Sequence, residues 1–369
     1  MYNLLKTTDI RVLEIEGSSY CNAGCPYCAR HLTGTSVRDT GFTQTHLDLD
    51  VFRKVTSDFG NHSRNVEVWF VGNLGDSIMH PDILTMWEIA VNDYKSCEIE
   101  TNGGLRSKEF WKHMGEIGDQ ANRRNGHKEN TVTFSIDGLE DTNEIYRKKV
   151  NWNKLMDNVK SYIDAGGTAH WKWLTFEHNE HQIDEAKALA KSLGFRRFSM
   201  AHSTRYAVPK DKSEFFKAYM SDIPLAQKER SVGLKSDISS LVEQKLQQHN
   251  FYKEEKEITC KNLKKKRMYL NAKGRVWPCC WHSSKYDRYD DLRWMEPDLV
   301  KYYKDGFNDA ATRSLQEIFS SQAWVDLTDS WETSATDRNT PFQLCARKCT
   351  NDKWQATCTI REPTQNLQK

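Results

Sequence analysis

The sequence has no apolar stretch approaching the ~20 residues that a membrane-crossing helix needs. Its N-terminus, MYNLLKTTDIRV, lacks the apolar h-region and small-residue cleavage site of a secretory signal. Both absences point to the cytoplasm. A charge surplus is missing too: 53 Lys and Arg against 51 Asp and Glu leave +2. That near-neutrality gives no global case for nucleic acid or an anionic membrane. The local exceptions, Arg123-Arg124 and Lys264-Lys265-Lys266-Arg267, read as solvated surface. Repeats and low-complexity tracts are absent. With 38% apolar and 28% charged residues over 369 positions, the chain has the balance of a soluble globular protein of one large domain or two smaller ones.

Cysteine is not scarce. In the cytoplasm, ten cysteines are a poor disulfide framework and a better source of metal ligands or reactive thiols. Three lie at 21–28 and six between 260 and 358, while Cys97 stands alone and reads as a small core side chain. Two clusters suggest two metal sites. The first, Cys21-Asn22-Ala23-Gly24-Cys25-Pro26-Tyr27-Cys28, follows the apolar run Val12-Leu13-Glu14-Ile15. Its Gly and Pro force a turn in which three sulfurs converge, a donor set for zinc or an iron–sulfur cluster. Three ligands leave one metal position open, which suggests chemistry rather than a structural clip.

From about residue 10 to 201 a strand-then-helix pattern recurs, with strands expected at 11–16, 66–71, 97–101, 131–136, 170–175 and 197–200. Helices are expected near 46–59, 81–94, 107–118, 151–165 and 180–193. The last is the best marked, with Asn179 as N-cap, Gln182 at N3 and Gly194 at the left-handed C′ position. Parallel βα units of this kind make an α/β fold, either an open doubly wound sheet or a partial barrel. Both place ligands at the carboxyl ends of the strands. The three-Cys stretch falls on that rim. So do the polar, Gly-rich exits Gly72–Asp76, Thr101–Gly104 and Ser135–Gly138, a repeated feature that a polar cofactor requires. Residues 206–256 read as a helical connection, and 257–369 as a small Cys-rich domain held more by metal than by apolar core.

CxxxCxxC after the first strand, with the aromatic Tyr27 before the third Cys, resembles the radical S-adenosylmethionine (radical SAM) family over roughly residues 10–200. The resemblance implies a partial (β/α)6 TIM-like barrel over 1–205. It also implies that Cys21, Cys25 and Cys28 ligate a [4Fe–4S] cluster whose fourth iron is chelated by S-adenosylmethionine. Reductive cleavage of the sulfonium would then give methionine and a 5′-deoxyadenosyl radical that abstracts hydrogen from a substrate. The segment Gly72-Asn73-Leu74-Gly75-Asp76 is similar to the family's Gly-Gly-Glu segment and departs from it in reading Leu74-Gly75-Asp76. Tyr27, Gly72, Leu74, Gly75, Asp76, Asn102, Ser135 and Arg147 are the implied cofactor contacts, Ser135 and Arg147 at the SAM carboxylate or ribose.

Cys260, thirteen residues, Gly274, four residues and Cys279 resemble the opening of the SPASM and twitch extensions, which hold auxiliary [4Fe–4S] clusters. One auxiliary cluster, on Cys260, Cys279, Cys345 and Cys349 with Cys280 and Cys358 as alternates, is the economical assignment. Zinc on the same thiolates is the competitor, and with it a non-catalytic zinc protein that binds a partner. The implied substrates are peptide side chains or small molecules, and the implied reductant is of the flavodoxin or ferredoxin class. No recognition module is expected before residue 10, which favours a small molecule or a free-standing recognition partner.

Overall fold

The computed structural model describes residues 6–26, 28–31, 36, 39, 41–126, 130–203, 260–287, 297–329, 359–361 and 365–366. Six strands alternate with helices: β1 (Val12–Ile15), α1 (Leu49–Ser57), β2 (Glu67–Phe70), α2 (Ile83–Asp93), β3 (Ser96–Thr101), α3 (Lys108–Asn125), β4 (Thr131–Ser135), α4 (Asn143–Tyr146), α5 (Trp152–Asp164), β5 (Thr168–Thr175), α6 (Ile183–Leu193) and β6 (Arg197–Ser203). The starts of these helices are written in sequence. Asp48, Ser107 and Asn151 each accept a hydrogen bond from the first-turn amides that follow them.

Strands β1 to β6 are parallel and lie in sequential order, β6-β5-β4-β3-β2-β1. A doubly wound sheet would reverse that order at a switch point. The sequential order is that of a barrel segment, with helices on one face and a second face left concave. Side chains alternate accordingly. On the helix side, Phe134 packs against Trp111 and Tyr162 at ring separations of 5.3 and 5.9 Å. On the other side, Thr133 donates to Glu98 (2.6 Å), Ser135 donates to Glu100 (3.3 Å), and Lys172 pairs with the same Glu100.

The sheet continues beyond the sixth strand. β7 (Arg267–Leu270) pairs in parallel with the free edge of β1, and β8 (Val276–Trp277) returns antiparallel to it. Arg267 reaches across, donating to Glu14 at 2.8 Å with its guanidinium 4.4 Å above the Trp69 ring. Beyond the hairpin lie α7 (Cys280–Tyr286), α8 (Pro297–Lys304), α9 (Leu315–Phe319) and α10 (Gln322–Asp329). Met268, Leu270, Trp277, Phe319 and Trp324 are buried in the same apolar cluster as the first six strands. At the far edge β9 (Thr359–Arg361) and β10 (Gln365–Asn366) both pair antiparallel with β6.

Two expectations about helices differ from the structure. α3 runs to Asn125, past the expected end at 118, because its glycines pack rather than break it. A Cβ on Gly115 would stand 2.6 Å from the Tyr162 carbonyl oxygen, so α3 and α5 meet backbone to backbone there. Asn179 does not cap α6: its side chain accepts from Phe176 N (2.7 Å) and donates to the Asp137 carbonyl (2.8 Å), tying two strand exits. Gln182 is spent on Thr142 and Asp141 instead of on a capping box. Gly194 does take the left-handed position, at φ 87°. The expected helical connection at 206–256 lies outside the described residues.

Gly115→Val tests the α3–α5 contact. Overpacking of a filled interface costs about 1–3 kcal/mol, so a lower urea midpoint than wild type is expected. An unchanged midpoint would show that the helices are not in contact at this position.

Candidate active site at the three-cysteine rim

The chain leaves β1 at Ile15 and enters the three-Cys loop between two other strand exits. Ser19 N donates to Thr45 O (2.9 Å), Asp76 N donates to Tyr20 O (2.8 Å), and Gly24 N donates to Lys148 O (2.8 Å). The loop is therefore held by backbone bonds on three sides. Cys25 is buried, while Cys21 and Cys28 are half-buried. Burial pushes the Cys21 thiol up to about 12 and raises that of Cys25. At both positions burial disfavours the bare thiolate.

Two groups from other strands reach the sulfurs. Asn102, after β3, donates its amide to Cys21 Sγ at 3.5 Å and to Asn22 Oδ1 at 2.9 Å. Arg147, after α4, points Nη1 at Cys25 Sγ at 3.9 Å while its Nε bonds Asp137 Oδ2 at 2.6 Å. Asp137 is fully buried, and its other oxygen accepts from Leu174 N at 2.7 Å. Burial raises the Asp137 carboxyl and the Arg147 charge pulls it back.

Asp76 is enclosed. Its Oδ2 accepts from Thr101 Oγ1 (2.9 Å), Asn102 N (3.0 Å) and Asn102 Nδ2 (2.6 Å), and its Oδ1 accepts from Ile78 N (3.1 Å). The same segment touches the three-Cys loop through glycine. A Cβ on Gly75 would lie 1.9 Å from Ser18 O, so no other residue allows this approach. Leu74 N donates to the carboxylate of Glu16, the residue after β1. On the far side Asn73 donates to Cys280 O at 3.4 Å and to Ser284. Gly72–Asp76 thus bridges the two cysteine regions.

In the second region Cys260 and Cys279 are buried and Cys280 is half-buried. Cys279 Sγ lies 3.2 Å from His282 Nδ1, and burial raises its thiol, with Cys280 and Cys260 close enough to add to the shift. Tyr27, Cys345, Cys349 and Cys358 lie outside the described residues. Among the described residues, no three His, Cys, Asp or Glu side chains close round a single point as one ion requires. A four-iron cluster, with each thiolate on its own iron, asks for no such convergence. No helix among the described residues is long and apolar enough to cross a membrane.

Several site residues were not singled out from sequence. Glu98, Glu100 and Lys172 were readable from the polar-apolar alternation of β3 and β5. Asp137 was visible only as part of a turn, and Arg30 and Glu16 carried no signal beyond adjacency to the motif.

A parallel α/β barrel segment with three thiols at the mouth of its first strand defines a class of metal-dependent enzymes built on such rims. Residues 15–198 match the family described as the Radical SAM superfamily, and through this segment the chain belongs to it. No curated protein matches the sequence. Among solved structures, SuiB of Streptococcus suis bound to S-adenosylmethionine is similar at 17% identity, over 80% of this chain and 65% of that one, with a TM-score of 0.47. SuiB bound to its precursor peptide SuiA is similar at 15% identity, over 85% and 65%, with a TM-score of 0.49. Native anSMEcpe with bound AdoMet and the Cp18Cys peptide is similar at 14% identity, over 92% and 88%, with a TM-score of 0.49. The chain spans slightly less than two thirds of SuiB. The family implies an enzyme with a [4Fe–4S] cluster and S-adenosylmethionine. The donor chemistry fits: three soft sulfurs on one loop, an amide aimed at one and a guanidinium at another.

The Glu16 carboxyl, wholly buried, is pushed up to about 7 from an ordinary 4.5. Between those pH values the folded chain holds a proton that the unfolded chain releases, so Glu16 makes stability fall as pH rises through that window. The loss is about 3 kcal/mol, complete above about pH 7. Glu16→Gln should flatten this slope in urea midpoints taken from about pH 5 to about pH 8. An identical slope would place the proton elsewhere.

Proposed function

We propose that the chain is a radical SAM oxidoreductase or modifying enzyme whose reaction is started at Cys21, Cys25 and Cys28. The observation that carries this reading is the pair of strand-exit groups, Asn102 and Arg147, directed at two of three thiols on a loop clamped across the barrel mouth. With a [4Fe–4S] cluster on the three thiolates and S-adenosylmethionine on the remaining iron, the site supplies one-electron cleavage of the sulfonium to methionine and a 5′-deoxyadenosyl radical.

The residues of the chain have distinct tasks in this proposal. Asn102 donates to a cysteine sulfur and fixes the Cys21 side of the loop. Arg147, oriented by Asp137, presents a cation beside Cys25, where it can also meet the carboxylate of S-adenosylmethionine. The Asp76 carboxylate is occupied by four internal hydrogen bonds. The contribution of Gly72–Asp76 to cofactor binding is therefore assigned to the backbone of Gly72, Leu74 and Gly75. Ser135, held toward Glu100, is assigned to the carboxylate or ribose of S-adenosylmethionine. Tyr27, next to the third cysteine in sequence, is assigned to the cofactor contacts by its place in the motif. The rim excludes water by burying the loop between strand exits.

The substrate proposed is a peptide side chain or a polar small molecule, taken on the concave face lined by Glu98, Glu100 and Lys172. Cys260 and Cys279, with Cys345 and Cys349, are assigned to one auxiliary [4Fe–4S] cluster, with Cys280 and Cys358 as alternates. It accepts an electron from the substrate or positions it. The Asn73 contact to Cys280 O supports communication between the two regions. The reductant is of the flavodoxin or ferredoxin class.

Cys28→Ala should abolish formation of 5′-deoxyadenosine from S-adenosylmethionine under dithionite, measured by chromatography. Wild-type rates in this variant would refute the assignment of the site.

A further inference from the structure

Arg30 belongs to no strand exit and lies two residues beyond Cys28. Its side chain turns back into the loop and is 4% exposed. Nη2 donates to Ala23 O at 2.8 Å and Nη1 to Cys21 O at 3.4 Å. The anionic forms of Cys28, Cys21 and Cys25 all act on it, Cys28 first. Among the described residues no carboxylate pairs with it: it donates to two carbonyls and bonds the Cys28 side chain.

The other cation at the loop differs in one respect. Arg147 reaches Cys25, but Asp137, fully buried, bonds it at 2.6 Å and cancels its charge. Of the two described guanidiniums at the loop, Arg147 has a carboxylate partner and Arg30 has none. Burying a guanidinium without a carboxylate partner is costly, and an anion brought to the same place offsets the cost. The thiolate-bound cluster is that anion, and it becomes more negative when it takes up an electron.

We propose that Arg30 is a positioning residue that sets the reduction potential of the three-cysteine cluster, as a buried guanidinium with no carboxylate partner among the described residues. The inference rests on the radical SAM reading above. A fixed cation near an anionic cluster favours the state with more negative charge, so Arg30 raises the potential and eases the one-electron uptake that starts the reaction. The electron comes from the flavodoxin- or ferredoxin-class reductant, and no proton moves at Arg30, whose guanidinium stays charged.

The test is a reductive titration of the anaerobically reconstituted full-length protein without S-adenosylmethionine, followed by electron paramagnetic resonance. The relevant signal is identified as the one that changes when S-adenosylmethionine is then added. Arg30→Gln should lower the equilibrium constant for reduction at least tenfold, about 59 mV for one electron, with iron content unchanged. Arg30→Lys keeps the charge and should stay within about threefold of wild type. A glutamine variant with the wild-type midpoint and full iron overturns the proposal. If that variant assembles no cluster, Asp137→Asn decides. Freeing the Arg147 charge should raise the midpoint, and an unmoved midpoint overturns the electrostatic account. An iron-free wild-type protein would sink the radical reading itself, whereas unmoved midpoints in iron-loaded variants sink only this inference.

Discussion

Asp76 stands where three pieces of chain must meet, and its carboxylate has no route to water. Thr101 and Asn102 donate to it from the end of β3, and Ile78 donates from its own turn. Its backbone amide bonds Tyr20 at the entrance to the three-Cys loop. Asn102, fixed by that carboxylate, then reaches Cys21. Losing the carboxylate would leave several buried donors unpaired, each at about 1–3 kcal/mol, and would free the amide that meets the sulfur. The placement of the loop follows from this network more than from the loop's own sequence. The segment resembles a ligand motif, yet its acidic side chain serves as a tie.

The barrel was legible because six short strands and their helices each carry a local signature. β-branched and aromatic runs end in polar turns, and the helices start at Asp48, Ser107 and Asn151. What could not be read were decisions made by distant partners. Gly115 resembles a helix breaker until Tyr162 is placed against it. Asn179 and Gln182 match a capping box, but strand exits more than 30 residues away offer their side chains better partners. The pairing of β7 with β1 joins residues about 255 apart in sequence, and nothing in the hairpin announces that edge.

For the site, the three cysteines and the polar exits were visible as types and spacings. Their second layer was not. Glu100 and Lys172 lie 72 residues apart, and Asp137 and Arg147 meet only because a four-residue helix turns the chain back. Arg30 follows the motif so closely that nothing in the sequence separates it from a surface cation. Its burial among thiols is a property of the folded loop. The sheet also runs without a break from the first six strands into the hairpin between Cys260 and Cys279. A fixed relation between the two cysteine regions is therefore a property of the backbone, reinforced by Asn73.

Whether these thiols hold iron–sulfur clusters is read out by metal analysis of the anaerobically reconstituted protein together with its absorption spectrum. A brown chromophore at about 400 nm and about eight irons per chain are expected, from one cluster on Cys21, Cys25 and Cys28 and one on the later cysteines. Stoichiometric zinc with no iron would contradict this and would favour a zinc-binding interaction protein instead.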